Sequence, residues 1–307
     1  MTRRRSATLT ALLTVGVAAS VLSGCGPTGD DRPLVVVSTN ILGDVVNELV
    51  GDHVEVMTLM RPDADPHSFE ISAQDAARLR SADLLVSNGL SLEEGLQQHL
   101  DAAVAEGIDS FVAGEAIEVL DYAKGDAAGT PDPHFWTDPG RMVDVVEALA
   151  PRLSALAGAD AAAVDEHVDA YLAQLESLDD EMTAAFDRIP AERRALVTNH
   201  HVFGYLAERY GFRVVGAAIP GGTTLAAPSA SDLADLVTTI EDHGVSAVFA
   251  ESSSPDRLMR ALAQETDRHV EVIQLYTESL TAEGGGGEDY LTMMRENTQR
   301  IVTGLSQ

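Results

Sequence analysis

The sequence alternates short apolar runs with amphipathic stretches, and a single long helical segment interrupts this alternation. Short runs rich in β-branched residues, such as residues 34–38 and 195–198, predict buried strands. Most are followed by stretches with apolar residues three and four positions apart, which predict helices. Because alternating strands and helices form parallel sheets covered by helices, we expect an α/β fold with two sheets.

The interrupting segment, residues 161–188, contains no strand-like run. Its apolar residues recur at helical spacing: Val164, Val168, Tyr171, Leu172, Leu175, Leu178, Met182 and Phe186. A helix of this length spans roughly 40 Å and would cross a whole domain. We therefore predict an N-terminal lobe (33–160), a rigid connecting backbone helix (161–189) and a C-terminal lobe (190–307). A long core helix within one domain is the alternative interpretation.

The remaining elements follow from the same periodicities. Strands are predicted at 54–60, 83–87, 117–120, 213–219, 245–250 and 270–275. Helices are predicted at 40–50, 72–81, 91–106, 140–156, 202–210, 229–243, 254–268 and 290–305. Ser72 is expected to begin its helix through a capping box, and Ser254 with Pro255 to begin another.

The N-terminus has the pattern of a targeting segment. Three arginines at positions 3–5 precede an apolar stretch at 7–22, which is too short for a convincing spanning helix. The stretch ends in Leu-Ser-Gly-Cys, which resembles the bacterial lipobox. This pattern predicts a lipoprotein signal peptide (1–24), lipidation of Cys25 and a flexible tether (25–32), and hence an extracytoplasmic protein anchored to a bacterial cell membrane. An ordinary secretory signal with a chance cysteine is the alternative.

The charge of the chain restricts its partners. The formal net charge is −29, so we expect no nucleic acid partner, because phosphates would be repelled. The only cysteine is Cys25, so the chain has no pair of cysteines for an internal disulfide.

The tripeptide Asp-Pro-His occurs twice, at 65–67 and 132–134. Proline fixes its own φ and disfavours the α conformation in the residue before it, so both tripeptides are expected in rigid loops. Either tripeptide alone would be read as an ordinary turn. As a pair, they indicate two halves of one binding site.

A third histidine and a carboxylate complete the candidate site. Ligands of open α/β sheets bind at the carboxyl ends of the strands, so two facing lobes would bring His67 and His134 to one wall and His200 to the other. Glu278 follows the last predicted strand and is the expected fourth ligand. Glu251, which ends another strand, is the alternative. Three imidazoles and a carboxylate favour Zn²⁺ over Mn²⁺ and disfavour Ca²⁺ and Mg²⁺.

These segments resemble the cluster A-I solute-binding proteins of zinc and manganese ABC importers. The matching segments are 61–70, 132–139, 198–205, 210–211, 219–223, 248–251 and 278–280, in family order and over nearly all of the mature chain. The resemblance implies a helical-backbone metal receptor, in which two α/β lobes are joined by a long helix and the metal binds between them.

The resemblance also implies roles for individual residues. It maps His67, His134 and His200 onto the first three ligands, and a histidine at the third position implies the zinc type, since manganese-binding relatives tend to have glutamate there. Glu278 stands where the family usually has aspartate. The histidine-rich loop of many zinc-binding relatives is absent, because residues 121–130 contain no histidine. His201 could support the site or be an alternative ligand, but we expect it to be exposed.

The expected function is therefore capture of Zn²⁺ outside the cytoplasm and its delivery to an ABC permease and ATPase. We expect a monomer, with a metallochaperone as a further candidate partner. The alternatives are a manganese-binding member of the same family, an adhesin or metallochaperone, and an envelope zinc hydrolase with Glu251 or Glu278 as the base. The sequence has no His-Glu-x-x-His motif and no serine nucleophile elbow, so we do not expect an enzyme.

Overall fold

The structure is a computed structural model that describes residues 32–123, 125, 127–156, 158–219 and 221–306. The predicted signal peptide, the predicted lipidation site Cys25 and all but the last residue of the predicted tether lie outside the described residues. Among the described residues, no helix combines the length and the apolar character needed to span a membrane.

The first half of the chain forms a four-stranded parallel sheet. Its strands are β1 (Leu34–Val37), β2 (Glu55–Thr58), β3 (Leu84–Ser87) and β4 (Ser110–Val112), in the order β2-β1-β3-β4. β1 and β3 are buried throughout, as their apolar sequences predict for central strands of a parallel sheet. Helices α1 (Asn40–Val50), α2 (Ala73–Leu79) and α3 (Gln97–Ala105) connect these strands.

The second half repeats this topology. Strands β5 (Ala195–Thr198), β6 (Arg213–Ala217), β7 (Ala247–Glu251) and β8 (Glu271–Leu275) form a parallel sheet in the order β6-β5-β7-β8. Its helices are α6 (Gly204–Tyr210), α7 (Ala230–Asp242) and α8 (Arg257–Glu265), followed by the C-terminal helix α9 (Tyr290–Leu305). The two parallel sheets confirm the predicted α/β fold. The lobe boundaries stay a prediction.

Two consecutive helices link the sheets: α4 (Pro139–Ser154) and the 26-residue α5 (Ala161–Phe186). Helix α5 begins at Asp160, whose side chain accepts a hydrogen bond from the backbone N–H of Ala163. It packs against α1, α4 and α9, so it contacts elements from both halves of the chain.

A single apolar cluster continues through both halves. It includes Val45 of α1, Leu149 of α4, Leu175 of α5, Phe249 of β7 and Ile301 of α9, all at most 2% exposed. Because such interiors are packed as densely as crystals, large relative motion of the two halves would open voids at this shared core. The fold therefore favours small rearrangements near the site over wide opening.

The structure corrects the predicted fourth strand. Residues 117–120 form no strand, and the edge strand β4 lies earlier, at Ser110–Val112. The backbone N–H of Leu120 donates to Tyr205 Oη, and its carbonyl accepts from the N–H of Asp132. These groups are satisfied by a helix side chain and by a neighbouring loop, so the segment needs no sheet ladder.

Two predicted helix starts are also wrong. Helix α3 begins at Gln97 and not at residue 91, because Leu90 and Ser91 have positive φ angles (54° and 64°) that a right-handed helix excludes. Helix α8 begins at Arg257, after Asp256, so Pro255 is not its first residue. The capping box at Ser72 is confirmed, with Asp75 as its partner.

Candidate metal centre

Both Asp-Pro-His tripeptides form the same local structure. Asp65 Oδ1 accepts a hydrogen bond from the backbone N–H of His67 at 2.8 Å, and Asp132 Oδ1 accepts from that of His134 at 3.0 Å. Aspartate readily binds the backbone N–H two residues on, and the proline between holds the turn rigid. The repeated motif is therefore a device that presents an imidazole from a fixed loop.

The structure brings the four predicted residues together around one oxygen. Glu278 Oε1 lies 3.0 Å from His67 Nε2, 3.2 Å from His134 Nε2 and 3.0 Å from His200 Nε2. All four residues are at most 1% exposed, and their candidate ligand atoms lie within 4.8 Å of one another. The imidazole planes are inclined to one another by 61–83°, so three ring edges meet at one point.

The loops that carry these residues come from both sheets. His67 lies in the loop after β2, and His134 in the long connection between β4 and α4. His200 follows β5 and Glu278 follows β8, in the second sheet. The site therefore lies between the two lobes, where the carboxyl ends of the strands face each other.

Glu251, the alternative fourth ligand, does not belong to this group. Its Oε2 atom is 3.8 Å from His200 Nδ1, the ring nitrogen that does not contact Glu278. Its Oε1 atom accepts a hydrogen bond from Ser253 Oγ at 2.6 Å. The structure thus places Glu251 near the Nδ1 atom of His200 and Glu278 near its Nε2 atom.

Burial and mutual attraction set the charges of the cluster. Burial disfavours the charged form of Glu278, but His200 and the hydrogen bonds from the three imidazoles lower its pKa well below its ordinary value. Burial also opposes a charged His134, yet Asp132 and Glu278 raise its pKa to about 9. The pKa of His200 is raised because Glu278 outweighs the effect of burial. Without a metal, the cluster therefore attracts protons, which occupy the same nitrogens that a cation needs.

Burial and the nearby Glu278 raise the pKa of Glu251 to about 8. This carboxyl is 2% exposed, so ionising it beside a second buried carboxylate is costly. One oxygen of each, Glu251 Oε2 and Glu278 Oε2, is buried without a hydrogen-bond partner among the described residues. The unpartnered oxygen of Glu278, which lies among three imidazoles, is suited to a cation.

Residues that the sequence did not indicate hold the ligand loops in place. Asn40, at the start of α1, donates to Ser279 Oγ at 2.8 Å and accepts from the backbone N–H of Leu280 at 3.0 Å. Trp136 Nε1 donates to the carbonyl of Thr277 at 2.9 Å. Two side chains from the first half of the chain, Asn40 and Trp136, therefore hold the residues on each side of Glu278 in place. The only available signal for Asn40 was a polar residue at the start of a predicted helix that follows a strand.

Tyr122 also joins the lobes beside the site. Its hydroxyl donates to the carbonyl of Gly222 and lies 3.2 Å from His134 Nδ1. His201 is half-buried and not exposed as predicted. It lines a cavity of about 280 Å³ together with Tyr122 and Asp132. It does not belong to the four-residue cluster.

Comparisons with known proteins agree with this architecture. The sequence model of the family described as "Zinc-uptake complex component A periplasmic" matches residues 35–304. The manganese ABC transporter substrate-binding lipoprotein PsaA of Streptococcus pneumoniae is 28% identical over 282 residues, 90% of each chain. The zinc-binding protein TroA of Treponema pallidum is 31% identical over 282 residues, 91% of this chain and 90% of TroA.

Solved structures show the same fold. The periplasmic TroA structure from Treponema pallidum superposes with a TM-score of 0.81 at 29% identity and covers 90% of this chain and all of TroA. A manganese-bound periplasmic metal binding protein from Candidatus Liberibacter asiaticus has a TM-score of 0.79 at 25% identity, over 89% of this chain and all of its own. The chain therefore belongs to the family of the zinc-uptake complex component A, the substrate-binding proteins of metal ABC transporters.

Proposed function

We propose that this chain binds Zn²⁺ outside the cytoplasm through His67, His134, His200 and Glu278 and delivers it to an ABC permease driven by its ATPase. The observation that carries this proposal is the convergence of three imidazole Nε2 atoms on one buried carboxylate oxygen. Lipidation of Cys25, as expected from the sequence, would hold the receptor at the membrane.

The donor set supports zinc as the cargo. Neutral imidazole nitrogens suit Zn²⁺, whereas Mn²⁺ is better served by carboxylate and carbonyl oxygens. Three nitrogens and one carboxylate also match the four ligands of a closed zinc site. Relatives are named for manganese as well as for zinc, so manganese is the second candidate cargo.

A closed set of four ligands also supports transport over catalysis. Catalytic zinc sites usually have three protein ligands and keep one position for water. Here a fourth protein group, Glu278, already faces all three histidines. We therefore propose a binding protein without catalytic activity.

Metal content and competition test this proposal. Purified chain from residue 26 onwards, stripped with a chelator, would be offered equimolar Zn²⁺ and Mn²⁺ and then analysed by mass spectrometry. We expect close to one zinc per chain. Glu278→Ala should retain less zinc, while the exposed Glu265→Ala should match the wild type.

The opposing results are distinct. Preferential retention of manganese would refute zinc as the cargo and leave the importer function in place. Full zinc retention by Glu278→Ala would refute the four-ligand assignment. A zinc-dependent hydrolase activity in the wild-type chain, lost in Glu278→Ala, would refute the transport assignment.

A further inference from the structure

We propose that Glu251 is a positioning residue that holds His200 in its metal-binding tautomer. The inference rests on the proposed function, because it concerns how the same site is prepared for its cation. It concerns the Nδ1 atom of the imidazole, whereas the Nε2 atom faces Glu278.

The first step concerns where the proton of His200 must lie. If Nε2 gives its lone pair to a metal, the neutral ring carries its hydrogen on Nδ1. His200 is 1% exposed, so a donor at Nδ1 is removed from bulk water. Leaving a buried donor without an acceptor is destabilising. The metal-bound state therefore needs an acceptor next to this nitrogen.

Glu251 supplies that acceptor. Its Oε2 atom is buried and has no hydrogen-bond partner among the described residues, and it lies 3.8 Å from His200 Nδ1. A shift of about 1 Å would bring the two atoms to ordinary hydrogen-bond distance. No other carboxylate among the described residues forms an ion pair with this nitrogen.

The surrounding strand fixes the direction of the Glu251 side chain. Glu251 ends β7, which lies between β5 and β8, the strands that lead to His200 and Glu278. Ser253 Oγ donates to Oε1 of Glu251 at 2.6 Å, which leaves Oε2 as the oxygen directed at His200. The carboxyl group therefore has one oxygen held by Ser253 and one oxygen without a hydrogen-bond partner in the described part of the chain.

The same arrangement already exists at a second imidazole. Asp132 Oδ1 lies 2.8 Å from His134 Nδ1, a closed carboxylate–imidazole pair. His67 Nδ1, in contrast, is buried without a partner among the described residues. In the described part of the chain, His134 and His200 therefore each have a carboxyl group near Nδ1, and His67 has no partner at this atom.

A double-mutant cycle tests the inference. Zinc affinity would be measured by chelator competition for the wild type, Glu251→Ala, His200→Ala and the double variant. Loss of a group that orients a metal ligand typically lowers metal affinity 10–100-fold, and we expect this for Glu251→Ala. In the His200→Ala background, removal of Glu251 should have almost no further effect, because its target is already gone.

Matched variants separate positioning from a general structural role. Glu251→Gln keeps an oxygen acceptor and should restore most of the affinity. Ser253→Ala removes the hydrogen bond to Oε1 of Glu251 and should weaken zinc binding, but less than Glu251→Ala does. This variant provides a second test if Glu251→Ala folds poorly. In the His67→Ala background, Glu251→Ala should still lower the zinc affinity by the full 10–100-fold, because His200 is present. Nitrogen-15 spectra of the zinc-bound chain should show the proton of His200 on Nδ1.

Several results would overturn the inference. Equal zinc affinity in wild type and Glu251→Ala would do so, as would equal losses from Glu251→Ala with and without His200. A reduced number of metal ligands in Glu251→Ala, measured by X-ray absorption, would make Glu251 itself a ligand. A wild-type chain that binds neither zinc nor manganese would instead refute the proposed function.

Discussion

Competition between protons and zinc should make the affinity of this site unusually dependent on pH. Burial opposes the charge on His134, but Asp132 and Glu278 outweigh burial and raise its pKa to about 9. An ordinary histidine has a pKa near 6.5 and is mostly neutral at pH 7. With this pKa, His134 in the metal-free chain is instead mostly protonated at pH 7, so zinc would have to displace this proton at the proposed site.

The magnitude follows from the difference between pKa and pH. One pKa unit corresponds to about 1.36 kcal/mol, so displacing the proton at pH 7 costs roughly 2.7 kcal/mol. This cost weakens the apparent zinc affinity about 100-fold at pH 7 relative to a neutral His134. Between pH 7 and 8 the apparent affinity should therefore rise about tenfold. The raised pKa of His200 acts in the same direction.

Two measurements check this expectation. Competition with a chelator of known pH dependence, measured from pH 6 to pH 8.5, gives the slope of the zinc affinity against pH. Calorimetry at pH 7 in buffers of different ionisation enthalpy counts the protons released, and we expect at least about one per zinc. An ordinary histidine would release about a quarter of a proton at this pH. An affinity that stays constant above pH 7 would refute the reasoning.

The same shifts predict an opposite trend for the stability of the metal-free chain. The raised pKa of His134 stabilises the fold by about 3 kcal/mol below pH 6.5, and this contribution is lost as the pH rises through about 9. The lowered pKa of Glu278 stabilises the fold above the ordinary glutamate range and is lost as the pH falls through that lowered value. Added zinc should therefore raise the melting temperature more at pH 8 than at pH 6, and a constant increment would contradict this.

Three further substitutions test the supports of the site and the shared core. Thr224→Val removes the 2.6 Å hydrogen bond to Asp65 across the cleft and should speed zinc release in stopped-flow chelator assays, whereas an unchanged rate would make this contact incidental. Asn40→Ala leaves the N–H of Leu280 without its acceptor and should lower the free energy of unfolding by about 1–3 kcal/mol in urea titrations. Phe186→Ala, at a side chain 1% exposed, should cost about 3–5 kcal/mol in the same titration, and a loss below 1 kcal/mol would contradict the shared core.

The arrangement of the fold bears on how the cation is released. Helix α5 and the apolar cluster around it join both halves, so wide separation of the lobes would disrupt packed side chains. Some contacts that cross the cleft at the site are single hydrogen bonds, such as those of Thr224 with Asp65 and of Tyr122 with Gly222. A single hydrogen bond contributes only about 0.5–1.5 kcal/mol net. We therefore expect release to begin with local movement of these loops.

Local patterns were sufficient for much of the fold. Strand β5 and helix α9 have the predicted ends, because a short apolar run and a helical stripe are each encoded by neighbouring residues. The rigid Asp-Pro-His loops are equally local, since the aspartate binds an N–H only two residues away. Strand β4 was misplaced because a three-residue edge strand carries almost no periodicity.

The convergence of the site depended on tertiary structure. The sequence by itself placed His67, His134 and His200 in loops, and it left Glu278 and Glu251 as competing carboxylates. The tertiary structure separates them: Glu278 lies beyond the end of β8 and reaches three Nε2 atoms, while Glu251 at the end of β7 lies near Nδ1 of His200.

The protonation state of the cluster could likewise not be predicted from the sequence. The raised pKa of His134 requires two carboxylates that outweigh the effect of burial, one of them 144 positions away in the chain. Sequence determines local conformation because its hydrogen bonds and periodicities join near neighbours. Only packing brings distant charges into one water-poor space, where their interactions become strong enough to set the chemistry.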